Sequence, residues 1–317
     1  MTEERSPLRI VWDRHRRSEW DRLAEAAPAC PFEQSWIYGE AYTRHNGEAV
    51  RRGIAFDGEA PLALVQAFTR RFGSLVTLVQ ILRGPVLLAS DATPDAVAAL
   101  YRRIKTEIRR PGREILFWTP ELAAGEEAIA AMRACGLRRV VTGHASARLD
   151  LTKDEPSLRA ALHGKWRNAL VRAEAAALRV ETAGGGDALA WLIERYGTLR
   201  SRRAFSGPSA ELLVRALVHA RPADVVALRA FSGNQAVAGA LFLRHGRCAS
   251  YLIGWTADEG RPLNAGALLL WRGMIALKER GAATLDLGGI DTRRAPGIAH
   301  FKLGTGGAAY VLAGTFV

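Results

Sequence analysis

A chain of 317 residues with 49% hydrophobic and 24% charged residues has the composition of a globular protein, which excludes disordered and collagen-like classes. Its formal net charge of +12 predicts an anionic partner, such as a nucleic acid, a nucleotide-linked substrate or an anionic membrane surface. The sequence has no run of about 18 apolar residues, so we expect neither a membrane-spanning helix nor stable insertion into a membrane.

The amino-terminal residues and the cysteines indicate a cytoplasmic protein. Residues Met1–Arg5 are polar and partly acidic, without the apolar stretch of a signal peptide. Cys30, Cys135 and Cys248 are odd in number and far apart in sequence, which is typical of thiols in a reducing cytoplasm. The seven histidines show no metal-ligand spacing on one helix, so we expect no metal site.

The first half of the chain alternates helical and strand-like patterns. Pro94 favours the start of a helix, because proline is well tolerated in the first helical turn. Asp57-Gly58 predicts a turn between two strands. The predicted strands are Leu8–Trp12, Val50–Phe56, Leu62–Thr69, Val76–Leu82, Glu114–Thr119 and Val140–Leu151, and the predicted helices are Ser18–Ala27, Glu33–Arg44, Pro94–Arg109 and Glu126–Cys135.

The second half repeats this order of elements. Asn264 is suited to cap a long helix, and Gly281 is suited to end it. Because two helices, a three-stranded meander, a helix, a strand and a final strand occur twice, the pattern predicts two stacked α+β domains or one larger sheet, with Asp150–Pro156 as the most natural boundary. The predicted helices are Pro156–Leu178, Asp187–Arg202, Ser209–Ala220 and Asn264–Arg280, and the predicted strands are Arg179–Thr182, Asp224–Phe231, Ala236–Arg244, Cys248–Trp255, Thr284–Leu287 and Tyr310–Phe316.

A carboxylate, a glycine pair and an aromatic–lysine pair lie close together in the last forty or so residues. The segment Thr284–Leu287 alternates like a short strand, Asp286 interrupts its apolar run, and Gly288-Gly289 breaks it into a loop. Phe301 and Lys302 follow side by side, and at the mouth of a strand and a loop they are suited to stack on a base or an amide and to hold a negative charge. The alternative is a buried phenylalanine beside a surface lysine.

The helix predicted from Pro156 to Leu178 has an apolar stripe and a cationic stripe. The cationic stripe predicts phosphate binding, either of a nucleic acid or of the diphosphate of a nucleotide-linked substrate. The alternative is the solvated face of an amphipathic helix. The apolar stripe consists of Trp166, Leu170, Ala173 and Ala177, and the cationic stripe consists of Lys165, Asn168 and Arg172, with Arg167 beside it.

Four segments resemble motifs of the FemABX family: Asp286–Gly289, Gly297–Gly307, Lys165–Glu174 and Pro31–Trp36. Members of that family transfer an amino acid from aminoacyl-tRNA to an amine, usually on a peptidoglycan precursor. The resemblance implies an α+β fold of two tandem GNAT-like domains, each a mixed, mostly antiparallel sheet flanked by helices. It implies domains over residues 1–152 and 153–307, with a C-terminal strand within residues 308–317 that crosses back to complete the first.

The same resemblance implies a cytoplasmic, aminoacyl-tRNA-dependent transferase that needs no cofactor. Its acceptor would be an amine on a peptidoglycan precursor, a soluble small molecule or a peptide. Lys302 would place a cation at the developing oxyanion or the tRNA 3′ end, Phe301 would stack, and Asp286 would accept a proton or support the loop. The candidate substrate and tRNA contacts are Lys165, Arg167, Asn168, Arg172, Tyr251, Arg293 and Arg294.

Two other functions remain open. An acyl-CoA-dependent N-acyltransferase of the same fold would carry a glycine-rich loop whose N–H groups hold the pyrophosphate. The corresponding segment here, Arg261–Ala267, has one glycine, and Pro262 removes an N–H donor, which disfavours CoA. A non-catalytic protein that binds RNA or other polyanions would need no such aspartate–glycine and phenylalanine–lysine arrangement.

Overall fold

A computed structural model describes residues 8–46, 48–72, 76–89, 92–108, 114–183, 186–203 and 207–317. The chain divides into two compact units. The first comprises residues 1–144, 245–247 and 311–317, and the second comprises residues 145–244 and 248–310. Over the described ranges, none of the helices combines the length and the apolar composition that crossing a bilayer requires.

The elements of the described residues follow one another in chain order. The strands are β1 (Arg9–Trp12), β2 (Ala49–Asp57), β3 (Ala60–Phe72), β4 (Val76–Leu82), β5 (Val86–Leu87), β6 (Glu114–Thr119), β7 (Arg139–Val141), β8 (Ala145–Asp150), β9 (Arg179–Ala183), β10 (Val225–Ser232), β11 (Gln235–His245), β12 (Cys248–Thr256), β13 (Thr284–Asp286), β14 (Ala308–Val311) and β15 (Thr315–Phe316). The helices are α1 (Arg17–Ala26), α2 (Trp36–Asn46), α3 (Pro94–Ile108), α4 (Glu126–Ala134), α5 (Glu155–Ala161), α6 (Gly164–Ala175), α7 (Asp187–Arg203), α8 (Ala210–His219), α9 (Ala265–Glu279) and α10 (Pro296–Leu303). Arg109, where the third helix was predicted to end, lies outside the described residues.

The first sheet has the strand order β1-β2-β3-β4-β6-β15-β7, and β5 pairs with β3. Strands β4 and β6 are parallel, and α3 lies between them in the chain, because parallel neighbours need a crossover connection. Ile104 of α3, Met132 of α4 and Trp118 of β6 are fully buried in one core cluster. Phe316 of β15 belongs to the same cluster and is also fully buried, so the last strand contributes to the core of the first unit.

The second sheet has the strand order β14-β8-β13-β12-β11-β10-β9, in which β12 and β13 are parallel. Trp166 and Leu170 of α6 share a core cluster with the buried apolar residues of α9, while Leu192 of α7 and Leu213 of α8 belong to another. The predicted α+β fold, with mixed sheets flanked by helices, is confirmed.

Two predicted strands each belong to two sheets. Residues 140–151 form β7 in the first sheet and β8 in the second, and residues 310–316 are likewise divided between β14 and β15. The units therefore divide after His144, eight residues before the boundary expected from the sequence. Gly143 allows the backbone of Leu312 to approach closely, because a Cβ on this residue would lie 1.5 Å from the carbonyl oxygen of Leu312.

The segment Pro31–Trp36 has a structural role in the first unit. The predicted helix over 33–44 begins only at Trp36, after a short turn of 3₁₀-helix over Phe32–Gln34. The fully buried Gln34 side chain donates from Nε2 to the carbonyl oxygens of Leu82 at 2.7 Å and Gln66 at 3.1 Å, and Oε1 accepts from the Gln66 N–H at 2.7 Å. The amide therefore completes backbone hydrogen bonds of β3 and of the residues at the end of β4.

Replacing Gln34 with alanine is expected to lower the free energy of unfolding by about 3 kcal/mol, because it leaves buried backbone donors and acceptors without partners. Urea denaturation followed by circular dichroism measures this change. Gln235→Ala is the matched control, because the Gln235 side chain is exposed. Equal midpoints for the two variants would contradict the structural role of Gln34.

Candidate active site

Phe301 and Lys302 lie on a short helix, α10, rather than at the end of a strand. Pro296 occupies the first position of this helix, where the missing N–H has no helical partner to lose. The Lys302 Nζ donates a hydrogen bond to the carbonyl oxygen of Gly289 at 2.8 Å. This bond connects α10 to the glycine loop that follows β13.

The environment of Lys302 changes its ionisation. Burial lowers the pKa of the Lys302 ammonium from 10.5 to about 8, and the negative charge of Asp286 acts in the opposite direction. The side chain is therefore mostly cationic at pH 7. A half-buried ammonium is well suited to stabilise a negative charge that develops on a reacting carbonyl oxygen.

Asp286 ends β13, and both of its carboxylate oxygens accept hydrogen bonds. Oδ1 accepts from the Gly288 N–H at 2.8 Å and lies 2.6 Å from Oγ of Ser146. Oδ2 accepts a short hydrogen bond from the hydroxyl of Tyr310. The Ser146 hydroxyl also lies 2.9 Å from the Gly288 carbonyl oxygen, so the carboxylate and the loop share one network.

Sequence reasoning missed Ser146 and Tyr310. Ser146 is on β8, which pairs directly with β13, and Tyr310 is on β14, the next strand beyond β8. Neither residue belongs to a motif of its own. The alternation of β8 is the one sequence signal that could have indicated the face on which Ser146 lies, and the strand order that brings both hydroxyls to Asp286 is not visible in the sequence.

Phe301 and Trp166 bring two of the family-like segments together. Their ring centroids are 6.0 Å apart, and the indole N–H of Trp166 donates to the carbonyl oxygen of Phe301 at 3.1 Å. The backbone N–H of His163 donates to the carbonyl oxygen of Gly304 at 3.0 Å. The start of α6 is therefore held against the end of α10, and Phe301 is partly buried against the core cluster.

The single helix predicted over 156–178 is two helices, α5 and α6. On α6 the predicted apolar stripe is buried at Trp166, Leu170 and Ala173. Ala177 lies beyond the end of α6, is exposed and has a φ of 48°, so it is not part of the stripe. The cationic stripe is exposed at Lys165, Asn168 and Arg172.

Arg167 has a different position from the rest of the cationic stripe. Its Nη2 donates to the carbonyl oxygens of Ala160 at 3.2 Å and Leu162 at 2.9 Å, at the end of α5. A guanidinium at this place satisfies carbonyl groups that a helix leaves without intrahelical partners. Arg167 therefore fixes the junction between α5 and α6.

The remaining candidate residues lie on strand β12 and in the turn before α10. Tyr251 on β12 stacks on Phe242 with ring centroids 5.0 Å apart, and burial raises the pKa of its hydroxyl. Arg293 and Arg294 are exposed in the turn before α10, and their backbone N–H groups donate to Oδ1 of Asp291 at 2.9 and 2.8 Å. The turn therefore presents both arginines to solvent next to α10.

Strand β12 is irregular next to the glycine loop that follows β13. Its parallel pairing with β13 covers only Cys248–Ser250. Ala249 and Tyr251 pack in one core cluster, whereas Ile253 and Trp255 pack in the other. In a regular strand these four residues would share one face of the sheet. The alternation of side chains is therefore interrupted near Leu252, just beyond the residues that pair with β13.

The start of α9 uses its amide groups within its own turn. Asn264 precedes the helix with a φ of 53°, and among the described atoms its side chain makes no capping hydrogen bond, contrary to the expectation from sequence. The N–H of Ala265 donates to the carbonyl oxygen of Gly260 at 3.1 Å, and that of Ala267 donates to Asn264 at 2.9 Å. Two of the first three helical N–H groups are thus already bound.

Comparisons with known proteins agree with this architecture. Residues 157–303 match the family of acetyltransferase (GNAT) domains. The whole chain is similar to the crystal structure of FemX, with a TM-score of 0.80 and 15% identity over 96% of each chain. It is also similar to a tandem GNAT protein from the clavulanic acid biosynthesis pathway, with a TM-score of 0.52 and 14% identity over 98% of each chain.

A further similar structure is the C-terminal domain of a putative lysylphosphatidylglycerol synthetase from Agrobacterium fabrum, with a TM-score of 0.54 and 14% identity over 95% of this chain and 91% of that one. No curated protein matches the sequence. The resemblance to FemABX proteins that the sequence motifs indicated is confirmed at the level of the fold. The chain thus has a tandem GNAT-like fold similar to that of FemX, and the match of its residues 157–303 to acetyltransferase (GNAT) domains supports an acyltransferase.

Proposed function

We propose that this protein transfers an amino acid from aminoacyl-tRNA to an amine, on a peptidoglycan precursor or on a soluble small molecule or peptide. The observation that carries the proposal is the half-buried ammonium of Lys302, held by Gly289 at the point where the loop after β13 meets α10. Aminoacyl-tRNA is a cytoplasmic substrate, so the proposed reaction is cytoplasmic.

The proposed chemistry is an aminolysis. The nitrogen of the acceptor amine attacks the ester carbonyl carbon, an amide bond forms, and the bond to the ribose oxygen breaks. The amine loses a proton, and the departing ribose oxygen gains one. Because the ester is already activated, the step needs neither ATP nor a cofactor, and positioning together with charge stabilisation supplies the catalysis.

Three residues have distinct roles in this proposal. Lys302 stabilises the oxyanion or holds the 3′ end of the tRNA, and Phe301 provides an aromatic surface beside it. Asp286 supports the glycine loop instead of accepting the proton of the amine, since both of its oxygens already accept hydrogen bonds.

The exposed cations of the second unit are the proposed contacts of the tRNA phosphates. Lys165 and Arg172 lie on the exposed stripe of α6 with Asn168, and Arg293 and Arg294 precede α10. Phosphate contacts of this kind position a nucleic acid without reading its sequence, and their strength falls as salt rises. The net charge of +12 supports the same partner.

Acyl-CoA is the second candidate donor, and the GNAT domain match favours it. In that class the pyrophosphate binds backbone N–H groups at a helix start. The N–H groups of Ala265 and Ala267 already donate to the turn before α9, and Pro262 has none, so this turn is poorly prepared for a pyrophosphate. A structural neighbour named as a putative lysylphosphatidylglycerol synthetase supports aminoacyl transfer on a related fold instead.

The proposal is tested by titrating the protein with aminoacyl-tRNA, deacylated tRNA and acetyl-CoA at roughly physiological salt. We expect aminoacyl-tRNA to bind about tenfold more tightly than deacylated tRNA, which corresponds to one additional contact worth about 1.4 kcal/mol. Saturable acetyl-CoA binding, with tRNA binding that disappears as salt rises, would identify an acyl-CoA-dependent enzyme instead. Equal binding of all polyanions would identify a non-catalytic RNA- or polyanion-binding protein.

A further inference from the structure

Two hydroxyl groups from different strands hold the carboxylate of Asp286. Ser146 on β8 is fully buried, and its Oγ lies 2.6 Å from Oδ1. Tyr310 on β14 donates to Oδ2, and the Gly288 N–H adds a third donor at Oδ1. Three donors from three parts of the chain therefore converge on one carboxylate, which determines the direction in which it faces.

A short path of contacts leads from this carboxylate to the candidate catalytic amine. Asp286 holds the backbone of Gly288, and the next residue, Gly289, accepts the hydrogen bond of Lys302 Nζ at 2.8 Å. A Cβ on Gly288 would lie 3.6 Å from Nζ, so the amine lies directly over the loop. A substitution of Asp286 therefore affects Lys302 in two ways. It alters the support of the Gly288-Gly289 backbone, and it alters the negative charge near the ammonium.

We propose that Tyr310 is a positioning residue for Lys302: its hydroxyl holds Oδ2 of Asp286, so that the carboxylate supports the glycine loop instead of pairing with the ammonium. The inference rests on the role proposed above for Lys302 and extends it to a residue that acts through Asp286. An ammonium has three N–H donors. One of them donates to the carbonyl oxygen of Gly289, and in this proposal the other two serve the substrate.

The physical basis is competition for the carboxylate. A hydrogen bond donated to a carboxylate draws its negative charge towards the donor and weakens its field at neighbouring cations. Without the Tyr310 hydroxyl, Oδ2 loses one hydrogen-bond donor, and the carboxylate stabilises the Lys302 ammonium more strongly, which raises the pKa of Lys302. Asp286→Asn acts in the opposite direction, because it removes the charge that opposes the effect of burial.

Replacing Tyr310 with phenylalanine removes the hydroxyl and keeps the aromatic ring. The guanidinium of Arg148 on β8 lies 4.8 Å over the Tyr310 ring, and Tyr310→Phe retains that ring. The Tyr251 carbonyl oxygen of β12 lies beside Gly288, and His300 of α10 bonds within its own helix. The variant therefore removes the bond between the hydroxyl and Asp286 while it keeps the ring that contacts Arg148.

The test is a titration of the Lys302 amine by acetic anhydride labelling across pH, read by mass spectrometry after cleavage at arginine. Cleavage after Arg294 releases residues 295–317, in which Lys302 is the only lysine. For Tyr310→Phe we expect the pKa of Lys302 to rise by about half a unit, which slows labelling at pH 7 about threefold. Ser146→Ala removes a donor from the other oxygen and is expected to act in the same direction.

A double variant distinguishes positioning from a general structural effect. Asp286→Asn alone is expected to lower the pKa of Lys302, and adding Tyr310→Phe to it is expected to change nothing more, because the hydroxyl acts through the carboxylate. Tyr196→Phe is the matched control: it removes a tyrosine hydroxyl of the same unit, which donates to the Pro208 carbonyl oxygen at 2.9 Å. Its Lys302 titration is expected to equal that of the wild type.

An unchanged or lowered Lys302 pKa in Tyr310→Phe, or an additive shift in the double variant, would overturn the proposal. Circular dichroism checks that each variant is folded. If Tyr310→Phe is unfolded, the pKa of Lys302 in Ser146→Ala is the deciding measurement, and an unchanged or lowered value there would overturn the proposal. The labelling needs no substrate, so its outcome is independent of the proposed function. If the wild type transfers no amino acid from tRNA while the expected shifts occur, the function fails and the assignment of Tyr310 as a determinant of the Lys302 amine stands.

Discussion

Replacing Lys302 with methionine is expected to lower the rate of aminoacyl transfer by about 10²–10³-fold, because the variant loses a cation preorganised beside the reacting carbonyl group. Methionine keeps an unbranched chain of similar length, so packing at the end of α10 is retained. The measurement follows a radiolabelled amino acid from tRNA to a panel of peptide and small-molecule amines, under single-turnover conditions.

The pH dependence of the wild type gives an independent check on Lys302. Burial lowers the pKa of this ammonium to about 8, and the cationic form predominates below that pH. Transfer that needs the cation is therefore expected to decline as the pH rises through about 8, and the methionine variant is expected to lack this alkaline limb. Lys153→Met removes an exposed lysine of the same unit as the control. Full turnover in the Lys302 variant would remove this residue from the mechanism.

The second large effect is on stability. Gly306→Ala is expected to lower the free energy of unfolding by about 3 kcal/mol, from the combined costs of backbone strain and overpacking. Gly306 has a φ of +79°, and an added Cβ would lie 2.3 Å from the carbonyl oxygen of Ala161 at the end of α5. The contact is with backbone, which has little room to move, so the clash cannot be relieved by a side-chain rotation.

A second glycine separates the two contributions. Gly233 also has a positive φ, +58°, but among the described atoms an added Cβ would meet nothing within 4 Å. Gly233→Ala is therefore expected to lower the free energy of unfolding only by the cost of placing alanine at a positive φ, about 1 kcal/mol. Urea unfolding curves of both variants measure the difference, and equal losses would show that α5 moves aside to accommodate the methyl group.

The sequence predicted most elements of the fold because their patterns are local. The helix at 94–108 and the hairpins of both sheets have clear hydrophobic periodicity and turn residues. Strands β7 and β8 were joined in the prediction because both are short and extended and no helix or proline separates them. Their assignment to different sheets depends on pairing partners distant in sequence, which a local pattern does not specify.

The candidate site was predictable only in part, for the same reason. The motifs led directly to Asp286, Phe301 and Lys302, whose proximity the structure establishes. The helix α10 was missed because proline and glycine open it and a glycine follows it, a composition typical of loops. Ser146 and Tyr310 were missed because their contacts with Asp286 arise from strand order.

The last described strand has a consequence for synthesis on the ribosome. Strand β15 lies between β6 and β7 and buries Phe316 in the core of the first unit. The amino-terminal sheet therefore cannot be completed until residues 315 and 316 have been translated. In most multidomain proteins the domain that is synthesised first also folds first. All strands of the second sheet lie within residues 145–311, so the part of the protein that is started later can be the first to complete its sheet.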